Sequence, residues 1–352
     1  MKIELIGKPE TIISNPHGTH RYFAWPTAKL LQNGTIAVGA SGFRLEHVCP
    51  FGKAVISYSF DNGKTYTRPA PVIDTPLDDR DAGICTFGKS GMIFTSFNNS
   101  AEFQRTCNRD NKYVQSYIDT ITKEDEEKYL GSLFRISNDY GITFGEIRHS
   151  PVTSPHGPTE LKDGTILWAG NNFNDVPGGI EIHKLTPENG ETEFIGKITT
   201  DSKDFFLNEP HLLELPDGTL ICHMRADNEN DTVFTVFQSF SYDKGKTWTP
   251  IERLLDETGG APPHLILLSS GILLCTYGRR KSPYGIMAMM SLDSGKTWEK
   301  DFRLFESCGS DDLGYPSTIE FDDGTLLTVF YATDSDDNPC EIMQQRWKIN
   351  IE

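Results

Sequence analysis

The sequence predicts an all-β chain folded as a six-bladed β-propeller of four-stranded antiparallel blades. Two interleaved repeats predict it. The first is an acid box: Ser59–Tyr66 reads S-F-D-N-G-K-T-Y, Ser137–Phe144 reads S-N-D-Y-G-I-T-F, Ser241–Trp248 reads S-Y-D-K-G-K-T-W and Ser291–Trp298 reads S-L-D-S-G-K-T-W. A looser copy at Thr186–Thr192 puts Glu188 in the acid position. The second is a glycine turn between apolar runs, with glycines at 34, 91, 164, 218, 271 and 324; the last three intervals are 54, 53 and 53 residues. Repetition at this period marks a radial or stacked architecture.

Each element has a local reason. In the box, the Ser and Asp side chains can bond nearby backbone N–H groups, and Gly takes the positive φ that the bend requires. The Asn-Gly and Asp-Gly pairs of Leu30–Thr35, Glu160–Thr165, Glu214–Thr219 and Glu320–Thr325 are two-residue hairpin signals. One unit therefore reads strand, glycine turn, strand, loop, strand, acid box, strand, which is one blade. The sixth unit has no box. Its outer strands are expected from Glu341–Ile349 and from the N-terminal Met1–Ile13, a closure that removes the open edge a ring must avoid. From turn glycine to boxed acid the spacing is 27, 48, 24, 25 and 22 residues in units one to five, so unit two carries an insertion at about 100–129. No linker interrupts the repeats, and residues 1–352 read as a single domain.

Composition narrows the function. A formal charge of −17 disfavours nucleic acid and repels anionic ligands unless a local basic cluster overrides the field. No run of about 18 apolar residues suggests a membrane helix, and the N-terminal Met-Lys-Ile-Glu-Leu-Ile has no apolar run of signal-peptide length. The seven cysteines are odd in number, scattered and free of C-x-x-C pairs, as expected of unpaired thiols in a cytoplasmic protein; a signal removed beforehand would instead allow secretion. No cofactor and no metal are expected. The acid boxes lack the ligand series of a calcium loop.

In such a blade both repeated turns lie on one face. The other face collects what varies: the starts of the first strands, the loops between second and third strands, and the insertion. The first-strand starts are Trp25-Pro26-Thr27, Asp81-Ala82-Gly83, Pro155-His156-Gly157-Pro158, Glu209-Pro210-His211, Pro262-Pro263-His264 and Tyr315-Pro316-Ser317. The second-strand exits add Arg44, Arg225, Arg279, Arg280 and Tyr331. Carboxylates, a phenol and guanidiniums converging on one funnel suit a polar, anionic substrate. Tyr315, Glu209 and Asp81 are the candidate catalytic groups. Arg44, Arg225, Arg279, Arg280, Trp25, His156, His211 and His264 are the candidate substrate-binding groups. The three histidines fit hydrogen-bonding roles in the funnel; a three-histidine metal site is the alternative.

The boxes and the sixfold period together resemble the sialidase (neuraminidase) superfamily of Asp-box propellers over almost the whole chain. The resemblance implies an exo-acting glycosidase with a Tyr nucleophile paired with a Glu, an Asp acid/base and three Arg that clamp a carboxylate. Gly314-Tyr315-Pro316-Ser317 matches the Tyr segment. Asn208-Glu209-Pro210, with Cys222-His223-Met224-Arg225 on the next strand, matches the segment carrying the Glu and the second Arg. The family's first clamp Arg is replaced: the matching place reads Phe23-Ala24-Trp25-Pro26, with Arg21 and Arg44 as neighbours. Arg279 or Arg280 approximates the third. Asp81 best fits the acid/base, with Glu46 and His47 as competitors. The implied partner is an oligosaccharide or glycoconjugate. A non-catalytic glycan-binding propeller, and a lyase or hydrolase for uronic-acid glycans, are the alternatives.

Overall fold

The acid boxes fold as their side chains dictate. The Ser241 hydroxyl accepts the Gly245 N–H at 2.8 Å and donates to Asp243 Oδ1 at 2.9 Å. Asp243 Oδ1 accepts the Thr247 N–H at 2.9 Å, and Oδ2 accepts the Thr247 hydroxyl at 2.6 Å. Lys244 and Gly245 reverse the chain with two consecutive left-handed residues, at φ 60° and 88°. The same bonds recur around Asp61, Asp139 and Asp293. The looser copy departs from the pattern. There the Gly190 N–H donates to the Thr186 carbonyl at 2.8 Å, and Glu188 takes no part.

These turns punctuate six four-stranded antiparallel sheets in a computed structural model that describes residues 1–350 except 173–178, 229–232, 256–259, 308 and 334–338. The N-terminal strand is β1 (Lys2–Ile13). Blade one is β2 (Tyr22–Leu30), β3 (Ile36–Arg44), β4 (Lys53–Ser59) and β5 (Ala70–Ile73). Blade two is β6 (Arg80–Phe87), β7 (Gly91–Asn98), β8 (Gly131–Ser137) and β9 (Arg148–Ser150). Blade three is β10 (Thr159–Glu160), β11 (Ile166–Gly170), β12 (Ile180–Thr186) and β13 (Glu191–Ile198). Blade four is β14 (Phe206–Glu214), β15 (Leu220–Asp227), β16 (Phe234–Ser241) and β17 (Glu252–Arg253). Blade five is β18 (Gly260–Leu267), β19 (Leu273–Arg279), β20 (Gly285–Ser291) and β21 (Glu299–Glu306).

Blade six is completed as the sequence predicts: β22 (Gly314–Glu320), β23 (Leu326–Ala332) and β24 (Glu341–Asn350) are joined by β1, which pairs with β24 from Lys2↔Asn350 to Ile13↔Ile342. The first and last strands thus close the ring. Apolar faces pack blade on blade; Ala54 and Ile56 of blade one meet Ala82, Ile84 and Phe94 of blade two.

Both kinds of turn share one face. Lys244 in the fourth blade's box pairs with Asp163 in the third blade's glycine turn at 2.7 Å. The insertion lies on the other face, between β7 and β8. It forms three one-to-two-turn helices, α1 (Ala101–Cys107), α2 (Lys112–Ile118) and α3 (Lys123–Tyr129), each begun by a side-chain cap from Ser100, Asn111 or Thr122. Arg105 is spent within the insertion, on Gln115 Oε1 at 3.1 Å and Asp119 Oδ1 at 2.8 Å.

The box hydroxyl is buried beneath its turn, so its loss leaves the Gly245 N–H without a partner. Ser241→Ala should lower unfolding free energy by about 1–3 kcal/mol in denaturant titration. An unchanged midpoint would show that the box does not hold the blade.

Candidate active site

Strand geometry alternates side chains between two faces, and the first strands break that alternation at one level of the ring. Register shifts interrupt β2 between Ala24 and Thr27, β6 between Arg80 and Gly83, β14 between Asn208 and His211, and β22 between Gly314 and Ser317. At each bulge one residue is left-handed: Trp25 at φ 55°, Asp81 at 53°, Glu209 at 45° and Tyr315 at 50°. None is a glycine. Such conformations cost about 1–3 kcal/mol each and persist where the surroundings enforce them. Around Glu209 the enforcement is visible: Asn171 Oδ1 accepts the Glu209 N–H at 3.0 Å while Asn171 Nδ2 donates to the Leu207 carbonyl at 2.9 Å.

The bulges bring three of the candidate groups together. The Tyr315 hydroxyl donates to Glu209 Oε1 in a short hydrogen bond. Arg225 Nη1 donates to Glu209 Oε2 at 2.7 Å, and Arg225 Nη2 pairs with Asp227 Oδ2 at 2.5 Å. Asn208 steadies Asp227 from the far side at 2.9 Å. Arg280 lies over the Tyr315 ring, 5.8 Å from its centroid, held by the Leu313 carbonyl at 2.8 Å and the Tyr331 hydroxyl at 2.6 Å. Burial, together with the charges of Glu209 and Asp81, pushes the Tyr315 phenol well above its ordinary value; Arg225 and Arg280 oppose this without reversing it. Tyr315 therefore rests as a neutral phenol hydrogen-bonded to Glu209.

Asp81 stands apart from this cluster in its bonding. Its carboxyl is buried and makes no hydrogen bond or ion pair with any described residue. Burial and the charge of Glu209 push it up to about 8, against the pull of Arg80 and Arg44. A carboxyl that is protonated at neutral pH and unspent on the protein is the form a general acid needs. Glu46 is exposed, and His47 is turned to Tyr22, 3.1 Å away, and to Arg80.

Four expectations are corrected. His156, His211 and His264 do not face the funnel. They pack on one another along the axis one layer below it, with ring centroids 4.5 to 5.4 Å apart. His211 Nδ1 accepts the Leu265 N–H at 2.9 Å, His264 bonds Ser317 Oγ at 3.2 Å and the Thr318 N–H at 3.3 Å, and His156 Nδ1 lies 3.0 Å from Thr27 Oγ1. They staple blades to each other, and burial holds all three below the ordinary imidazole value, hence neutral. Among the described residues no His, Cys, Asp or Glu group is arranged to hold a metal.

Arg44 is 0 % exposed, bonded to Asp78, Ser41 Oγ and the carbonyls of Glu46, His47 and Asp79. It supports the site from behind. Arg279 turns back to the Lys281 carbonyl at 3.3 Å, leaving Arg280 as the inward member of that pair. Trp25 is no open sugar platform; it is buried, with the Arg80 and Arg44 guanidiniums 4.0 and 4.8 Å from its ring.

Arg80 is the residue that sequence reasoning missed as a site component. It is packed on Trp25, and its charge acts on both Asp81 and Tyr315. An alternating strand would point Arg80 away from Asp81's side; only the bulge lets consecutive residues serve one site. Asp312 was missed too. It accepts from the hydroxyls of Tyr22 at 2.8 Å and Tyr331 at 3.0 Å. Burial pushes its carboxyl up, but His47, Tyr22 and Arg280 outweigh that and keep it ionised.

A six-bladed propeller with Asp boxes and a Tyr–Glu pair ringed by Arg80, Arg225 and Arg280 defines a sialidase-like architecture. The chain belongs to the BNR repeat-like domain family, whose pattern matches residues 117–328. Among solved structures it is similar to a Dyadobacter fermentans protein of unknown function, at 21 % identity and a TM-score of 0.79 over 99 % of each chain. It is also similar to the NanB sialidase of Streptococcus pneumoniae, at 14 % identity and a TM-score of 0.67 over 97 % of this chain and 70 % of that one. With the Trypanosoma rangeli sialidase the figures are 15 % and 0.64, over 97 % and 60 %. At these identities the likeness is one of fold. No curated protein matches by sequence.

Linkage fixes the sign of a test on Asp81. Its folded value lies above the ordinary 3.8, so its burial costs nothing relative to a neutral isostere below that value, and the cost grows as pH rises to about 8. Asp81→Asn should melt above the unaltered protein at pH 8, the gain shrinking toward pH 4. An equal gain at both pH values, or a loss at pH 8, would argue against a buried, neutral Asp81.

Proposed function

We propose that the protein is an exo-acting glycoside hydrolase of sialidase-like design, acting on an acidic sugar at the end of an oligosaccharide or glycoconjugate. The observation that carries this reading is the Tyr315–Glu209 hydrogen bond facing an unspent, neutral Asp81. Sialidases are the glycosidases that use a tyrosine nucleophile.

Tyr315 Oη attacks the anomeric carbon as its proton passes to Glu209 Oε1. Asp81 gives its proton to the departing glycosidic oxygen, and that C–O bond breaks. A Tyr315 aryl glycoside, a neutral leaving alcohol, an Asp81 carboxylate and a protonated Glu209 result. Water then attacks the same carbon; Asp81, now a carboxylate, takes the water's proton. Tyr315 departs and recovers its proton from Glu209, restoring all three groups. A neutral tyrosine nucleophile avoids placing a carboxylate against an anionic sugar. Arg80, Arg225 and Arg280 supply the positive field that a −17 protein otherwise lacks.

Tyr315→Phe and Glu209→Gln should each lower kcat by at least about a hundredfold in release of an acidic sugar from a chromogenic or fluorogenic glycoside, with the fold intact by circular dichroism. Retained turnover in either variant would sink the assignment. Sugar binding without turnover in the unaltered protein would favour a glycan-binding propeller, and a product absorbing in the ultraviolet would indicate a lyase.

Asp81 must be protonated for the first step, so kcat for a substrate with a poor leaving group should fall as pH rises through about 8. Asp81→Asn should abolish that limb of the profile. An alkaline limb surviving in Asp81→Asn would assign the proton to another group.

A further inference from the structure

The axial layer of histidines divides the centre of the ring in two. On the side away from Tyr315 lies a cavity of about 450 Å³, a size that suits a small molecule. His211 and His264 form its floor, and Leu213, Ile266 and Ile319 form an apolar wall. Each wall residue stands five places before a turn glycine, at 218, 271 and 324, so the mouth opens on the turn face. The same place is held by Thr86 before Gly91, by Thr159 before Gly164 and by Lys29 before Gly34. Lys29 is thus the one charged residue at a position repeated around the ring.

The Lys29 amine makes no hydrogen bond or ion pair with any described residue. Two carboxylates lie at the mouth, and the turns engage both. Glu160 Oε1 accepts the Gly88 N–H at 2.9 Å, and Glu320 accepts the Ser269 N–H and hydroxyl, each at 2.7 Å. The amine is turned to the axis, since its charge acts on His156, His211, His264 and Cys85. Burial keeps those imidazoles and that thiol neutral, so none of them is a counter-ion. Burial also holds the Lys29 ammonium below its ordinary value, because desolvation disfavours the charged form. An amine in this state is the form that attacks a carbonyl group.

We propose that Lys29 is a covalent binding site for small neutral aldehydes, held as an imine inside the axial cavity. The amine lone pair attacks the carbonyl carbon, and a proton passes from nitrogen to the carbonyl oxygen. The resulting carbinolamine loses water, which leaves the C=N bond. The apolar wall favours that loss and accepts the short carbon chain. Glu160 and Glu320 at the mouth, on a protein of charge −17, disfavour an anionic carbonyl compound. The histidine layer separates Lys29 from Tyr315, so the site stands whether or not the funnel cleaves a glycoside.

Brief incubation of the intact protein at neutral pH with glycolaldehyde and cyanoborohydride traps each imine as a hydroxyethyl-lysine, and peptide mapping then ranks the lysines. Lys29 should react at least about threefold faster than the exposed Lys246 and Lys296. The preference should vanish in urea, and Lys29→Met should lack the fast phase in intact mass. Glyoxylate, an aldehyde of similar size that carries a carboxylate, should show a smaller preference for Lys29. Reaction at Lys29 no faster than at Lys246, a preference that survives in urea, or a fast phase retained in Lys29→Met would overturn the site. An equal or larger preference with glyoxylate would overturn its neutral ligand class.

Discussion

The left-handed bulge at the start of the first strand is the constraint on which the site depends. A regular strand would send Trp25, Asp81, Glu209 and Tyr315 wherever alternation placed them. The bulge instead turns all four at one level of the ring, with φ between 45° and 55°. Large side chains resist this conformation, so it must be enforced by what lies around it. Part of that enforcement is the Asn171 clamp on Glu209. Part is the axial layer immediately below, where His211, His264, Ser317 and Thr27 bond from one blade to another. The ring thus has a working level and, beneath it, a supporting level of neutral polar groups.

Burial then separates the protonation states. The phenol of Tyr315 stays neutral because desolvation and two carboxyl groups outweigh two guanidiniums. Asp81 keeps its proton for the related reason that it is buried near Glu209 and bonded to none of the described residues. Asp312, less deeply buried, goes the other way because His47, Tyr22 and Arg280 bond or face it. Tyr315 and Asp81 are thus held neutral and Asp312 ionised by their surroundings, the separation that the proposed acid and nucleophile roles require.

The fold was legible almost entirely from the repeats. The glycine turns and acid boxes located every blade, the N-terminal closure and the insertion, because turn chemistry is local and its residue types are few. Glu209, Tyr315 and Asp81 were legible as members of one ring because they stand at repeated first-strand positions, and Arg225 was marked by the family resemblance of its segment. Two of the errors trace to the bulge. His211 and His264 sit two residues beyond the bulge, and that small offset moves a side chain from the funnel to the axial layer. Arg80 was passed over for the converse reason, since adjacency to Asp81 argues against a shared face unless a bulge intervenes. The arginines at strand exits could not be sorted from sequence: Arg44 and Arg280 look alike there, and only packing shows one consumed by carbonyls and Asp78 and the other lying over Tyr315.

In the proposed reaction Tyr315 forms a covalent bond to the sugar. A fluorinated derivative of the acidic sugar that the protein releases, one that forms its glycosyl intermediate quickly and breaks it down slowly, tests this directly. Intact-mass measurement after incubation should give one added glycosyl group per chain, and peptide mapping should place it on Tyr315. No adduct, or an adduct on any other residue, would contradict the account.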